Sequence, residues 1–542
     1  MSYMALSAAP ACVSNAAFRT HLHMTLLQFA LVLLLCAVAL GWVARRFNFP
    51  YAIALVVGGG ALGFIPSLPD FPFEPGIILS VVLPPILYQT ATLTSWRDFK
   101  ANAGTIGFLA IGLVVATMLA VGAALKLLLP DIPWAAALVF GAIVSPPDAV
   151  AATAILSRLN IPRRVVNVLE GESLVNDASA LVLYKFAVAA VFTGTFSVGV
   201  ASAEFAAVSL GGIAIGVLTG RAFVAIHRHL RDIFVEVLTA LLVPYFAYVV
   251  AEACHASGVL AVVAAGLVRG RHSPLIVSAE MRIVARSVGN MLVFLLNTLV
   301  FVLMGMQLSG IVERLRGYSA LELLASGALL SAVAIAVRFA WIYPTLYAPG
   351  AVRRMLGRRA AEPPEAEYFI MSWCGMRGIV SLAAALALPV ALGDGTPFPY
   401  RDPIIFFTFV VIAVTLVVQG LSLPAMIRRL RVGTDWSLHD EQANARGAMS
   451  KAAMAAIDVL AKKEQAPPEL AGRISAEFAE KVANSGPDAP MSEQEAGLAQ
   501  RLRHAALMAE RQELIRIWQE NQISDDVLHQ FEDALDHQEA HL

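Results

Sequence analysis

Residues 170–184 read EGESLVNDASALVLY, a run in which Glu170, Glu172, Ser173, Asn176 and Asp177 lead straight into apolar helix. At about 100° per residue, Ser173, Asn176 and Asp177 (i, i+3, i+4) share one helix face, with Glu172 to its side. A carboxylate inside a membrane helix costs about 2.5–3.5 kcal/mol on insertion scales. A chain that carries such a cost has a use for the charge.

The flanking composition gives the class. Of 542 residues, 58% are hydrophobic and 15% charged, far from the balance of a water-soluble domain. The net charge of −1 excludes a nucleic-acid partner. Cys12, Cys36, Cys254 and Cys374 are scattered without metal-ligand or disulfide spacing, and each reads as a small apolar side chain.

Apolar runs long enough to cross about 30 Å of hydrocarbon number about thirteen. They fall near 25–44, 50–66, 75–93, 103–129, 133–157, 168–193, 203–226, 233–253, 257–269, 287–309, 319–345, 367–391 and 403–427. Residues 1–24 precede them as a short tail, with Met24 an alternative start to Met1. The first run, followed by Arg45 and Arg46 without a small-residue cleavage site, reads as an uncleaved helix. Alternate connections carry the basic residues, among them Arg97, Lys100, Arg158, Arg163, Arg164, Arg228, Arg231, Arg269, Arg271 and Arg282. By the positive-inside rule these lie in the cytoplasm, which places the N-terminus outside and the C-terminus inside the cell membrane. Residues 25–430 then form the membrane domain. Residues 436–542, rich in Glu, Gln, Ala and Arg and broken at Pro467-Pro468 and Ser485-Gly486-Pro487, form a helical cytoplasmic domain.

Two spans are interrupted. The fifth reads GAIVSPPDAVAATAI, with Asp148 beside Pro146-Pro147, and the twelfth SWCGMRGIVSLAAALALP, with Gly375 and Gly378 around Arg377. Unwound backbone at membrane depth is tolerated only inside protein or beside a water-filled cavity. Breaks at corresponding positions of two halves, spans 1–6 and 8–13, point to an inverted-repeat transporter and its site. Asp177, Asp148, Asn176 and Ser173 offer hard oxygen donors that suit Na+ or another small monovalent cation, and the acids suit a proton. Burial favours neutralising a carboxylate by either, so the two compete for the same oxygens. Arg338 and Arg377 need partners, which Glu172 and the unwound carbonyls supply.

Blander uses exist for these side chains. Asp148 is able to cap a broken helix, Asn176 and Ser173 to bond their own backbone, and Arg377 either to neutralise a helix end or to gate. Glu170 reads as a solvated charge at the cytoplasmic mouth, and His227 and His229 as solvated loop residues. Glu236, Glu252 and Glu280 read as interfacial.

GESLVND resembles the signature of the sodium/proton exchanger family, the monovalent cation:proton antiporters of type one. So do LPPILYQ at 83–89, SPPDAVAA at 145–152, RFAWIYP at 338–344 and CGMRGIVSLAAALALP at 374–389. The resemblance covers residues 25–430. It implies an all-α polytopic membrane protein with crossed, half-unwound helices in a core beside a dimerisation subdomain. It further implies a homodimer, electroneutral one-for-one exchange by an elevator-like motion, and no cofactor. Under it Asp177 matches the aspartate that binds proton and cation, with Asn176, Ser173 and Asp148 beside it. Glu172 and Arg338 match a structural ion pair, and Arg377 the arginine of the glycine-rich span. The chain departs from the family pattern in Pro147-Asp148-Ala149, where the usual order is Thr-Asp-Pro, and in a neutral Gln89. Both bear on the choice among Na+, K+ and Li+.

Protons entering down their gradient would then drive Na+ out of the cytoplasm. A cation channel with an acidic filter is the alternative, though channels usually place their pore on a symmetry axis. An intramembrane enzyme with Asp148 and Asp177 as a dyad is a further one, against which Asn176 and Ser173 make a better cation cage than an acid/base pair.

Overall fold

The computed structural model describes residues 51–63, 78–148, 161–194, 198–230, 232–315, 319–355, 365–393, 395–430, 436–480 and 493–540, with isolated positions elsewhere. The tail at 1–24, most of the first span and the break at Ser485-Gly486-Pro487 lie outside these residues. Among the described residues the chain is all-helical, and the one β-type pairing is an isolated antiparallel bridge between Ala391 and Pro397.

One compact unit comprises Met1–Pro72 with Phe301–Gly310. In it, helix α1 (Tyr51–Gly63) sets Gly59 against the backbone of Val302, and Gly305 rests on the Val56 carbonyl. Small residues let backbones meet this closely where no water drives helices together.

The other unit comprises Phe73–Val300 and Ile311–Leu542. Its membrane helices are α2 (Leu83–Leu93), α3 (Ala103–Leu128), α4 (Trp134–Val144), α5 (Arg163–Thr193), α6 (Val198–His227), α7 (Ile233–Ala253) and α8 (Gly258–Ile276). There follow α9 (Ala279–Arg314), which runs on through the first unit's Phe301–Gly310, then α10 (Ala320–Met355), α11 (Glu365–Trp373), α12 (Ile379–Leu386) and α13 (Arg401–Leu430). Eight helices among the described residues are long and apolar enough to cross a membrane, so the chain is a multi-pass membrane protein.

Local chemistry sets the ends. Asp232 Oδ1 accepts from the amides of Phe234 and Val235 at 2.9 and 3.0 Å, and Ser257 and Ser278 cap α8 and α9 in the same way. Gly194, at φ +68°, closes α5 in the left-handed conformation glycine favours. Helices extend further than hydropathy suggests: α8 runs on to Ile276 and α9 starts at Ala279, so the expected basic loop is nearly all helix. The arginines there ride on helix ends, Arg271 exposed and Arg282 buried.

Two local readings change, and a third gains a partner. His227 is buried as the last residue of α6, one position past the expected span, with its Nδ1 bonded to the Phe223 carbonyl at 2.8 Å. Cys254 is exposed at the end of α7, not packed. Glu252 is interfacial but paired, with Lys185 Nζ donating to it at 2.7 Å.

The tail comprises α14 (Trp436–Lys463), α15 (Pro468–Glu480), α16 (Glu493–Gln519) and α17 (Asp525–Ala540). They enclose an apolar core that includes Ile457, Ile474, Phe478, Leu514 and Val527. The tail meets α9 through Arg282, whose Nε and Nη2 donate to Asp536 at 2.8 and 2.5 Å. Glu532 stands 3.7 Å from the same guanidinium, too far for a hydrogen bond, and its Oε1 is buried without a partner.

One guanidinium thus faces two acids and satisfies Asp536. Burial first, then Asp536, pushes the Glu532 carboxyl up from 4.5 to about 7, against the pull of Arg282. A carboxyl that keeps its proton longer when folded than unfolded destabilises the fold as pH rises through that window. The melting temperature of the docked tail is therefore expected to fall between pH 5 and 7.5. Glu532→Gln should flatten this slope and gain at most on the order of 3 kcal/mol above pH 7, read from melting curves across pH.

Candidate functional site

The site is built where two helices stop. Helix α4 ends at Val144, and the prolines at 146 and 147 prevent it from continuing through Asp148. Helix α11 ends at Trp373, and Cys374–Gly378 is irregular before α12 begins. The two interruptions touch: the Asp148 amide donates to the Met376 carbonyl at 2.6 Å. Gly378 makes this approach possible, since a Cβ there would run into the Asp148 carboxylate. Gly375 plays the same part toward Arg338, whose Cδ would meet its Cβ at 2.6 Å.

Arg377 lies fully buried between the breaks. Its Nε donates to the Val144 carbonyl at 3.0 Å and its Nη1 to the Gly375 carbonyl, while its amide donates to Thr415 Oγ1 at 3.1 Å. A cation on the last carbonyl of α4 neutralises the negative end of that helix dipole.

Helix α5 brings the remaining side chains. Asn176 is fully buried, and its Nδ2 reaches the Pro147 carbonyl at 3.5 Å while its Oδ1 has no hydrogen-bond partner. Ser173 is buried on the same face. Asp177 is 8% exposed, forms no ion pair with any described residue, and has Asp148 as the charged group acting on it. The structure therefore gathers Asp177, Asn176 and Asp148 at the contact of the two breaks.

Glu172 points elsewhere. Arg338 Nη1 and Nη2 donate to Glu172 Oε1 and Oε2 at 2.5 and 2.9 Å, and Arg338 Nε donates to the Met371 carbonyl at 3.1 Å. Both side chains are 1% exposed, and together they tie α5, α10 and α11. Bidentate geometry with a third acceptor is what a buried ion pair needs to offset desolvation.

Two polar side chains of α13 escaped the sequence reading. Thr415 holds the Arg377 amide, and Gln419, one turn on, is fully buried with both amide atoms unpartnered. Their i, i+4 spacing within an otherwise apolar helix was the available signal.

Broken helices in mutual contact, lined by buried acids inside a polytopic helical membrane fold, are the build of an ion-coupled transporter. Residues 30–429 match the family model described as sodium/hydrogen exchanger, transmembrane, and the chain belongs to that family of cation/proton antiporters. It is 34% identical over 527 residues to an uncharacterised Na+/H+ exchanger of Mycobacterium tuberculosis, covering 94% of this chain and 95% of that one. A Bacillus subtilis sodium, potassium, lithium and rubidium/H+ antiporter is 31% identical over 407 residues, 73% of this chain and 60% of the other. The solved sodium proton antiporter MjNhaP1 of Methanocaldococcus jannaschii shares the fold, with a TM-score of 0.61 at 20% identity over 74% of this chain and 98% of that one.

Removing one member of the Glu172–Arg338 pair strands a charge in the core. Glu172→Ala or Arg338→Ala is expected to cost about 3–5 kcal/mol, seen as a fall in melting temperature and folded yield. The double change Glu172→Leu with Arg338→Met should restore most of that loss. Gly378→Ala, by contrast, should leave a folded protein with the two breaks forced apart and exchange lost.

Proposed function

We propose that the chain exchanges cytoplasmic Na+, and also K+ or Li+, for external H+ in an electroneutral alternating-access cycle. Asp177 carries either the proton or the cation, never both. Asn176 Oδ1, Ser173 and Asp148 complete the cation's oxygen shell. Glu172 and Arg338 are structural, and Arg377 neutralises the end of α4 to hold the breaks together. The inclusion of K+ and Li+ draws support from the breadth printed in the name of the Bacillus subtilis relative.

The observation that carries this reading is how the buried charges are distributed. Arg338 is engaged by Glu172, and Arg377 by backbone carbonyls. Asp177 is left buried with a second carboxylate acting on it and no cationic partner among the described residues. Two carboxylates in a low-dielectric site require a proton or a metal ion between them. The hard oxygens beside them fit an alkali cation.

The same reading takes 1–24 as an external tail, 25–430 as the exchanger domain with core and dimerisation parts, and 436–542 as a cytoplasmic domain. Two copies of the chain would form a homodimer.

Everted vesicles loaded with a pH-sensitive dye test the exchange, with Na+, K+ and Li+ added in turn. Asp177→Asn is expected to reduce dequenching to background for every cation, and Asn176→Ala to raise the apparent KM about tenfold, the worth of one lost ligand. An unchanged response in the Asp177 variant would overturn the assignment.

A further inference from the structure

The last tail helix grips the membrane helices at two places. At its start, Arg163 Nη1 donates to Ser524 Oγ at 2.5 Å and Arg163 pairs with Glu441 and Asp526, each at 3.4 Å. The Ser524 amide in turn donates to Glu441. Beside them Arg97, on the short helix Trp96–Ala101, donates to the carbonyls of Ile523 at 2.7 Å and Asn521 at 2.8 Å. Further along, α17 holds α9 through Arg282 with Asp536 and Arg286 with Asp533. Arg511 of α16 also binds Asp536, at 2.9 Å, so this end is braced from within the tail.

The stretch from Asp526 to Asp536 is a single helix of about 15 Å. Arg163 is the first residue of α5, and Asp177 lies about 21 Å further along that same unbroken helix. A shift at the end of a rigid helix is passed on to its middle. α17 is therefore a strut between α9 and the helix that bears the site, and relative motion of the two must break one of its attachments.

Burial says which. At α9, Arg282 and Asp536 are 7% and 1% exposed and joined by two bonds, with the more open Arg286 and Asp533 (29% and 48%) beside them, whereas at α5 Arg163 (19%) meets Asp526 (43%) and Glu441 of α14 (21%) only at 3.4 Å and in no bidentate pair. Partly exposed ion pairs at long range are weak and exchange with water, and buried, bidentate ones do not. The Arg163 end opens first.

Resting on the alternating-access reading above, we propose that α17 is an intramolecular clasp, anchored on α9 and fastened reversibly at Arg163. Each transport cycle must release the Glu441–Arg163–Asp526 contacts, so the clasp slows turnover. Glu441, Ser524 and Asp526 are positioning residues acting through Arg163, far from the transported ion.

The test uses the full-length protein in proteoliposomes with an imposed pH gradient and Na+. Glu441→Gln with Asp526→Asn changes the tail alone. It is expected to raise Vmax about threefold, the factor two partly exposed pairs are worth, with KM within about twofold of the parent. The conservative Asp526→Glu should behave as the parent. A folded double variant whose Vmax equals or falls below the parent's would overturn the clasp. Should the double variant not fold, amide exchange of the unmodified protein decides: under turnover, 521–528 should lose protection while 532–540 keeps it, and equal protection of both overturns the idea. The Asp177→Asn control separates the two failures. If it abolishes exchange while the clasp variant runs at the parental rate, only the clasp is wrong; if it leaves exchange intact, the functional reading itself fails.

Discussion

Backbone that is unwound inside a membrane must find its hydrogen bonds within the protein, and the centre of this molecule is organised around that need. The break after α4 and the break between α11 and α12 meet it jointly. Asp148 gives its amide to the Met376 carbonyl, while Arg377 covers the carbonyls of Val144 and Gly375 and gives its own amide to Thr415. Neither interruption is satisfied alone, so each holds the other in place. Gly378 sets the spacing, because no side chain fits between it and the Asp148 carboxylate.

This arrangement divides the buried charges into two kinds. Glu172 and Asp177 sit five positions apart on α5, about 140° around the helix, so they face different neighbours. Glu172 meets Arg338 in a bidentate pair that also takes up the Met371 carbonyl. That pair is complete and has nothing left to offer an ion. Asp177 has another acid, Asp148, acting on it, and among the described residues it has no ion-pair partner and Asn176 Oδ1 no hydrogen bond. On the proposed exchange reading, a proton or cation completes that pairing.

Much of this could be read along the chain, and the reasons are physical. Helical membrane architecture follows from hydropathy, and the two breaks follow from Pro146-Pro147 and from Gly375 and Gly378, since these residues act on their own backbone. The face shared by Ser173, Asn176 and Asp177 is simple helix geometry. What stayed hidden depends on residues far apart in sequence. Gly378 and Gly375 read as helix breakers, yet their closest neighbours are Asp148 and Arg338. Thr415 and Gln419 look like ordinary polar residues until α13 packs beside the break. His227 looked solvated because it closes α6, and its burial comes from packing that the fold alone supplies. Arg163 and Arg282 counted as topology signals, and composition alone could not pair them with a helix more than 200 positions away.

Those arginines serve two purposes, and the second informs the first. The positive-inside rule uses them to choose a side of the membrane. The structure joins Arg97, Arg163, Arg282 and Arg286, from three separate connections, to residues 521–536 of the tail. An acidic helix such as α17, 16 residues and about 24 Å long, cannot reach both faces of a bilayer about 30 Å thick. The ends bearing these residues must therefore lie on the same side as the tail, whatever the sign of their charge. Geometry groups them on one side, and which side that is remains the expectation of the charge rule alone. Because the grouping owes nothing to the charge rule, an error in the rule would move all four ends and the tail together and leave their partnership intact.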